Sequence, residues 1–521
     1  MRHGSTLSFL TLISRVLGLL REMTKASLLG TTALSDAFSV AFMLPNLFRR
    51  LFAEGSISVA FIPTYKEYLL AGSREKTREF LSSIFTFLTF IVTIVVIAGV
   101  LAAPLIIRLI GAEEYNETVF LTRIMFPFLG FISLAALLQG ILNSFHIFAP
   151  SGCAPVLLNI VTILCAYGLS PYTQNPARAM AAGILIGGFL SIAIQLPFVL
   201  KQGQRFFFFS LVRAMKNPGT RKVLRLVSPT IIGMAAYQLN DLVSTALAGR
   251  AGEGIVSSLQ YSLRLQELIL GVFAVSIGTV LLPNLAEYAK TSHWEMYNKR
   301  LLSAVNIIAL ITIPLTFFAL LEGQNLIRLL FQNRLFDETS VGLTLSAFMF
   351  HMPGVFFIAL NRVLAPAFYA QSDTKSPTLA GIISFAVNIV LAAALVKQFR
   401  GSGIAFALSF ASAVNTVFLL IFLKKNPNIT ISSALGSAFV YILKLAAVST
   451  AAAVPVFFLS PILSGFFAGR GRIISYGVPL VINAFIFIIL GLGMLLLIKD
   501  KQLVSLIDVL KRRSSGSVRK S

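Results

Sequence analysis

The sequence is poor in cysteine, in acid and in polar stretches. Cys153 and Cys165 are the two cysteines in 521 residues, so neither a disulfide framework nor a thiolate metal cluster is expected. Both read as helix-packing residues. Charged residues make up only 12%, against about 25% in a soluble chain. Asp and Glu number 20 against 43 Lys and Arg. There is no phosphate-cradling Gly-Lys-Ser/Thr loop, no His-Glu-x-x-His and no nucleophile elbow. No polar stretch is long enough to house an ATPase. Energy for any transport would then come from an ion gradient, the membrane potential or substrate flow, with no cofactor.

What is present is apolar. Hydrophobic residues make up 56%, and the mean hydropathy is +0.85. Runs of roughly 18 or more apolar residues read as membrane spans. In lipid a backbone must satisfy its own hydrogen bonds, as helices or as a closed barrel. Runs such as Phe85–Ile107 and Leu480–Ile498 lack the alternation of barrel strands, so the expected fold is all-α and integral to the membrane. About fourteen spans are predicted, at 6–30, 34–64, 80–110, 119–146, 152–170, 179–200, 223–249, 254–284, 299–321, 340–370, 376–396, 402–423, 433–459 and 473–498. The first reads as a retained helix rather than a signal peptide, because Arg15 breaks its apolar core and no small-residue cleavage site follows.

The net charge of +23 gathers at segment ends. Lys66, Arg74, Lys76 and Arg78 share one loop, and Arg205 to Arg225 hold six basic residues. Lys424, Lys425 and the basic tail follow on the same side. The positive-inside rule places these loops and both termini in the cytoplasm, against anionic lipid, and leaves Glu113, Glu114 and Glu117 outside.

A weak internal repeat supports two halves. Phe61-Ile62-Pro63 through Glu67-Tyr68 lines up with Leu281-Leu282-Pro283 through Glu287-Tyr288, at an offset of 220 residues. Repeats of this kind mark transporters with a substrate site between the halves. The expected organisation is a first six-helix lobe at 1–200, a linker at 201–222, a second lobe at 223–425, a helix pair at 433–498 and a basic tail at 499–521. Phe206–Phe209, Leu211 and Val212 alternate with basic residues, which predicts an interfacial amphipathic helix, and Asn217-Pro218-Gly219 predicts a turn.

Four arginines interrupt apolar segments: Arg15 and Arg21 in the first span, Arg49 in the second and Arg264 in the eighth. A charge at the bilayer centre costs at least about 2.5–3.5 kcal/mol. Several together point to a wet cavity for an anion, and the guanidinium fork suits a phosphate. Arg15 and Glu22 share one helical face, Arg21 and Lys25 another, and Lys25 reads as a snorkelling side chain. Pro45 weakens the second span just before Arg49. Arg50 and Glu54 lie at i,i+4 and read as an ion pair, while Arg264, at i,i+3 from Glu267, is either a self-satisfied pair or a ligand facing Arg49 across the cavity. Asp36 is either a gate that pairs with an arginine or a helix N-cap. Asp241, with Asn388, is a candidate site for a monovalent cation, with helix packing or a lysine partner as the alternative. His351 reads as a packing histidine, and Gly183 with Gly187 as a helix contact.

At Ser14-Arg15-Val16-Leu17-Gly18, Asp36-Ala37-Phe38, Leu44-Pro45-Asn46-Leu47-Phe48-Arg49-Arg50 and Phe52-Ala53-Glu54-Gly55 the chain resembles the MurJ (MviN) family of lipid II flippases. That family sits in the multidrug/oligosaccharidyl-lipid/polysaccharide exporter superfamily. The likeness continues at Leu282-Pro283 and Val363-Leu364-Ala365-Pro366-Ala367-Phe368-Tyr369. It implies fourteen helices in two lobes around a cationic cavity, with Arg15, Arg21, Arg49 and Arg264 at essential arginine positions. It implies gating roles for Glu22 and Asp36, and a groove for the polyprenyl tail in the last two helices. Leu263 stands where some members carry an acid. Asp241 and Asn388 match part of a sodium site, while Ala392 stands where a second carboxylate is expected. The implied activity is translocation of lipid II from the inner to the outer leaflet by a monomeric transporter, without nucleic acid. The rivals are an exporter of another lipid-linked oligosaccharide and a membrane glycan polymerase or ligase.

Overall fold

The computed structural model describes residues 2–50, 60–426, 428–429 and 431–504. The structure is 86% helix, with no strand among the described residues. By length and composition, eight described segments can cross a membrane, or nine with one bent pair. The all-α expectation holds, and each of the fourteen predicted ranges overlaps a helix. Glu54 and Gly55 lie outside the described residues.

Two compact units share the chain. Unit 1 comprises residues 1–260 with 333–337. It holds α1 (Arg2–Leu29), α2 (Ala33–Arg49), α3 (Ile62–Leu70), α4 (Arg74–Ile110), α5 (Tyr115–Met125), α6 (Phe128–Ser144), α7 (Ala149–Gly168), α8 (Pro176–Ala193), α9 (Leu196–Lys201), α10 (Leu211–Lys216), α11 (Pro218–Gly249) and the start of α12 (Ile255–Lys290). Sequence signals set these ends. Ser73 caps α4 by accepting from the Lys76 N–H, and Gly111 closes it at φ 78°. Asn175 and Asn217 cap α8 and α11, each followed by proline at the first helical position. Asn217-Pro218-Gly219 is therefore a helix start rather than a turn.

Gly183 and Gly187 do make the expected contact. A Cβ on either would stand 2.8 Å from α7, at Thr162 or Leu158, so the small residues permit close packing of α7 on α8. On α4, Leu101, Leu105 and Leu109 are each more than 60% exposed, an apolar stripe suited to lipid.

The predicted interfacial helix is corrected. Only Leu211–Lys216 is helical, while residues 204–210 run without helix. The Phe207 and Phe209 N–H groups donate to Ser82 Oγ at 3.0 Å and Thr86 Oγ1 at 2.9 Å on α4. Four helical residues rise about 6 Å, and two extended residues span about 6.6 Å. Alternate amides thus match the turn of the helix beneath them. Phe206 and Phe208 lie on Phe85, at 4.6 and 4.9 Å between ring centroids. Arg78 and Arg213 sit 4.3 Å from the Phe207 and Phe209 rings.

Unit 2 comprises residues 261–332 with 338–521. It holds the rest of α12, then α13 (Trp294–Phe331), α14 (Glu338–His351), α15 (Gly354–Tyr369), α16 (Lys375–Leu423), α17 (Ile431–Phe466) and α18 (Val478–Leu497). A 45° bend separates α14 from α15. His351 is the buried packing residue expected, with Nδ1 2.7 Å from Ser262 Oγ and its carbonyl accepting from Gln266.

Helix α16 breaks at Arg400, at φ 45° and ψ −126°, between the two spans predicted there. A side chain in that region of backbone space costs of order 1–3 kcal/mol. Arg400→Gly is therefore expected to stabilise the protein by about 1–2 kcal/mol, read as a rise in the thermal midpoint. An unchanged or lower midpoint would contradict the strain.

After α18, Asp500 closes the end of the helical hairpin. Its carboxylate accepts from Lys444 Nζ at 2.6 Å, Tyr441 Oη at 3.2 Å and Leu503 N at 3.0 Å. Burial alone would push the carboxyl up. The Lys444 hydrogen bond, the Leu503 N–H, the Lys444 charge and the Tyr441 hydroxyl together hold it below the ordinary value of 3.8. A lowered folded value gives stability that is complete above the ordinary value and lost as pH falls through the folded one. Lys444 is one-third exposed, so water weakens the pair. Asp500→Asn is expected to cost about 1–2 kcal/mol at neutral pH. In unfolding series that difference should close below about pH 4; a constant gap down to the acid limit would refute the linkage.

Candidate functional site

Helix α1 runs through Arg15, Arg21, Glu22 and Lys25 without a break. Glu22 does not reach back to Arg15, two turns away on the same face. It takes its neighbour Arg21 at 2.9 Å and approaches Lys25 at 4.0 Å. The Arg21 guanidinium also lies 5.5 Å from the Phe42 ring on α2. Arg15 is part-buried and makes no ion pair among the described residues. Lys25 does not snorkel: it is 2% exposed. Its ammonium donates to Ser39 Oγ at 2.7 Å and Gln260 Oε1 at 3.3 Å. Those partners lie 14 and 235 residues away, so helical spacing gave no sign of them.

Asp36 is a helix cap, but not of its own helix. Thr32 caps α2, accepting from the Ser35 N–H. The Asp36 carboxylate accepts instead from Gly254 N at 2.8 Å and Ser257 N at 2.7 Å, at the start of α12. Glu253 completes the exchange by accepting from Ala33 N at 2.8 Å. Each helix start thus receives a carboxylate from the segment leading into, or lying in, the other, which answers both sets of orphan N–H groups and both dipoles.

Arg49 is the last residue of α2, four residues beyond Pro45. Its Nε donates to Asn46 Oδ1 at 2.8 Å, which fixes the plane of the guanidinium. Arg50 was expected to pair with Glu54, which lies outside the described residues. Arg50 reaches Asp241 on α11 at 3.3 Å. Asp241 therefore has a basic partner, an arginine rather than the lysine considered above. Asn388 is buried in α16 and belongs to unit 2, whereas Asp241 belongs to unit 1. Within unit 2, Arg264 and Glu267 form an i,i+3 pair at 3.2 Å, the first of the two alternatives for Arg264. Arg264 is about one-third exposed and Glu267 about half, so that bond is weak and exchangeable.

Chemically, α1 and α2 set several part-buried cations beside few carboxylates. Such a set favours an anion with several oxygens, because each charge-assisted hydrogen bond is worth about 1.5–3 kcal/mol net.

The family model "Lipid II flippase MurJ" matches residues 25–475. A "Probable lipid II flippase MurJ" of Treponema pallidum is 47% identical over 507 residues, covering 96% of each chain. The "Lipid II flippase MurJ" of Burkholderia cenocepacia is 32% identical, covering 81% of this chain and 83% of its own. Among solved structures, "Lipid II flippase MurJ, inward closed conformation" superposes with a TM-score of 0.77 at 25% identity, covering 94% of this chain and 98% of that one. An inward-facing multidrug transporter of the MATE family shares the fold, with a TM-score of 0.66 at 16% identity, over 79% of this chain and 96% of its own.

Proposed function

This chain belongs to the MurJ family of lipid II flippases, and from that membership we propose that it carries lipid II from the inner to the outer leaflet by alternating access. It is a transporter rather than an enzyme, and a multi-pass protein of the bacterial inner membrane. In this reading Arg15, Arg21, Arg49 and Arg264 take the diphosphate while the undecaprenyl chain stays in lipid. Glu22, Asp36, Arg50, Glu54 and Glu267 exchange partners as the transporter opens and closes. The lobes are 1–200 and 223–425, the helix pair 433–498 receives the lipid tail, and both termini are cytoplasmic. The protein acts as a monomer without nucleic acid or cofactor, driven by a cation gradient or the membrane potential.

The observation that supports this reading most is Arg15, a part-buried guanidinium without an ion pair among the described residues. Such a group is costly in an apolar helix unless a ligand or water meets it. The test is reconstitution of the purified protein in vesicles and measurement of leaflet exchange of labelled lipid II. Exchange should exceed that of empty vesicles, and unlabelled lipid II should compete better than a polyprenyl diphosphate bearing another oligosaccharide. Equal competition would favour the broader exporter.

A further inference from the structure

Glu322 is 1% exposed on α13, within a segment that is apolar enough to cross the membrane. Among the described residues no Lys or Arg lies within ion-pair distance of it. Two amides face it instead. Asn483 Nδ2 on α18 donates to Oε1 at 2.7 Å, and Asn325 Nδ2, three residues along α13, donates to Oε2 at 2.7 Å. Ser460 Oγ on α17 lies 3.5 Å from the Asn325 amide. Helix α18 therefore meets the carboxylate directly, and α17 reaches it through Asn325.

A second observation comes from the amide itself. Asn483 is fully buried, and its Oδ1 accepts no hydrogen bond among the described residues. A buried acceptor without a donor costs about 1–3 kcal/mol. The oxygen stands on the same amide whose nitrogen touches Glu322, so a turn about the last side-chain bond brings it to the carboxylate. The cluster thus gathers oxygens: two from Glu322, one from Asn483 and one from Ser460. Oxygen sets of this kind suit a hard cation. A single negative charge among neutral oxygens matches a cation of charge one. Asparagine serves both situations, since its nitrogen steadies a bare carboxylate and, turned over, its oxygen joins it around a cation.

We propose that Glu322, Asn483, Asn325 and Ser460 form a binding site for a monovalent cation of the sodium type, which fastens α17 and α18 to α13. This site is separate from Asp241 and Asn388 and does not depend on which lipid is carried.

The test uses the purified full-length protein in detergent. Thermal unfolding is followed as sodium chloride replaces choline chloride at constant ionic strength. The wild type should show a saturable upward shift of a few degrees, as a ligand of the folded state produces. Glu322→Gln should lose the shift, Asn483→Leu should lose it or need far more sodium, and Asp241→Asn should keep it. If Glu322→Gln does not fold, equilibrium binding of radiolabelled sodium to wild type and Asn483→Leu decides instead, with weaker binding expected in the variant. Equal midpoints in sodium and choline, a shift that survives Glu322→Gln, a shift lost in Asp241→Asn, or a response to pH alone would each overturn the proposal. None of these readouts measures flipping, so failure here leaves the lipid II assignment standing.

Discussion

Arg49→Ala should reduce lipid II exchange in reconstituted vesicles about 10- to 100-fold, to near the background of empty vesicles, while the protein stays folded. The size follows from the loss of one charge-assisted contact of about 1.5–3 kcal/mol, at about 1.4 kcal/mol per tenfold. Folding should survive because Arg49 ends α2 rather than filling a core, and the Asn46 bond at 2.8 Å is local. The expected stability change is about 1 kcal/mol. Arg49→Lys should recover only part of the rate, since an ammonium restores charge without the planar fork. Exchange at the wild-type rate by a folded Arg49→Ala protein would remove this residue from the site.

Glu22→Gln should be the most destabilising single change near the site, by about 3–5 kcal/mol. Glu22 touches Arg21 at 2.9 Å and Lys25 at 4.0 Å, and Lys25 is 2% exposed. Neutralising the acid removes a carboxylate from beside a buried ammonium that donates to the neutral oxygens of Ser39 and Gln260. The double variant with Lys25→Met should therefore be more stable than the two separate losses predict, with a coupling of about 0.5–3 kcal/mol. Thermal unfolding of the four proteins closes the cycle. Simple additivity would mean that Glu22 does not compensate Lys25.

The sequence reveals most where the physics is local. Prolines, asparagine caps and long apolar runs mark helix ends, and the break at Arg400 falls between two predicted spans because Gly401 and Gly403 follow it. The Arg264–Glu267 pair was readable for the same reason, being one turn apart. Partnerships across the chain were not readable. Arg50 finds Asp241 191 residues away, and Lys25 finds Gln260 235 residues away. Nothing in helical spacing distinguishes a buried lysine with distant hydroxyl and amide partners from one that reaches the headgroups. At Phe206–Phe209 the alternation of apolar and basic residues suits either an interfacial helix or an extended chain laid on a helix. Hydroxyls at Ser82 and Thr86 decide between them.

The exchange of caps between α2 and α12 carries a consequence for biogenesis. Asp36 precedes its amide donors by 218 and 221 residues. A ribosome making this chain delivers the carboxylate to the translocon long before Gly254 and Ser257 exist. Nascent α2 therefore waits with that acid answered by water, lipid headgroups or the insertion machinery, and its final seat forms only when the eighth predicted span arrives. Interrupted chains that end before this point should be ready substrates for membrane quality-control proteases.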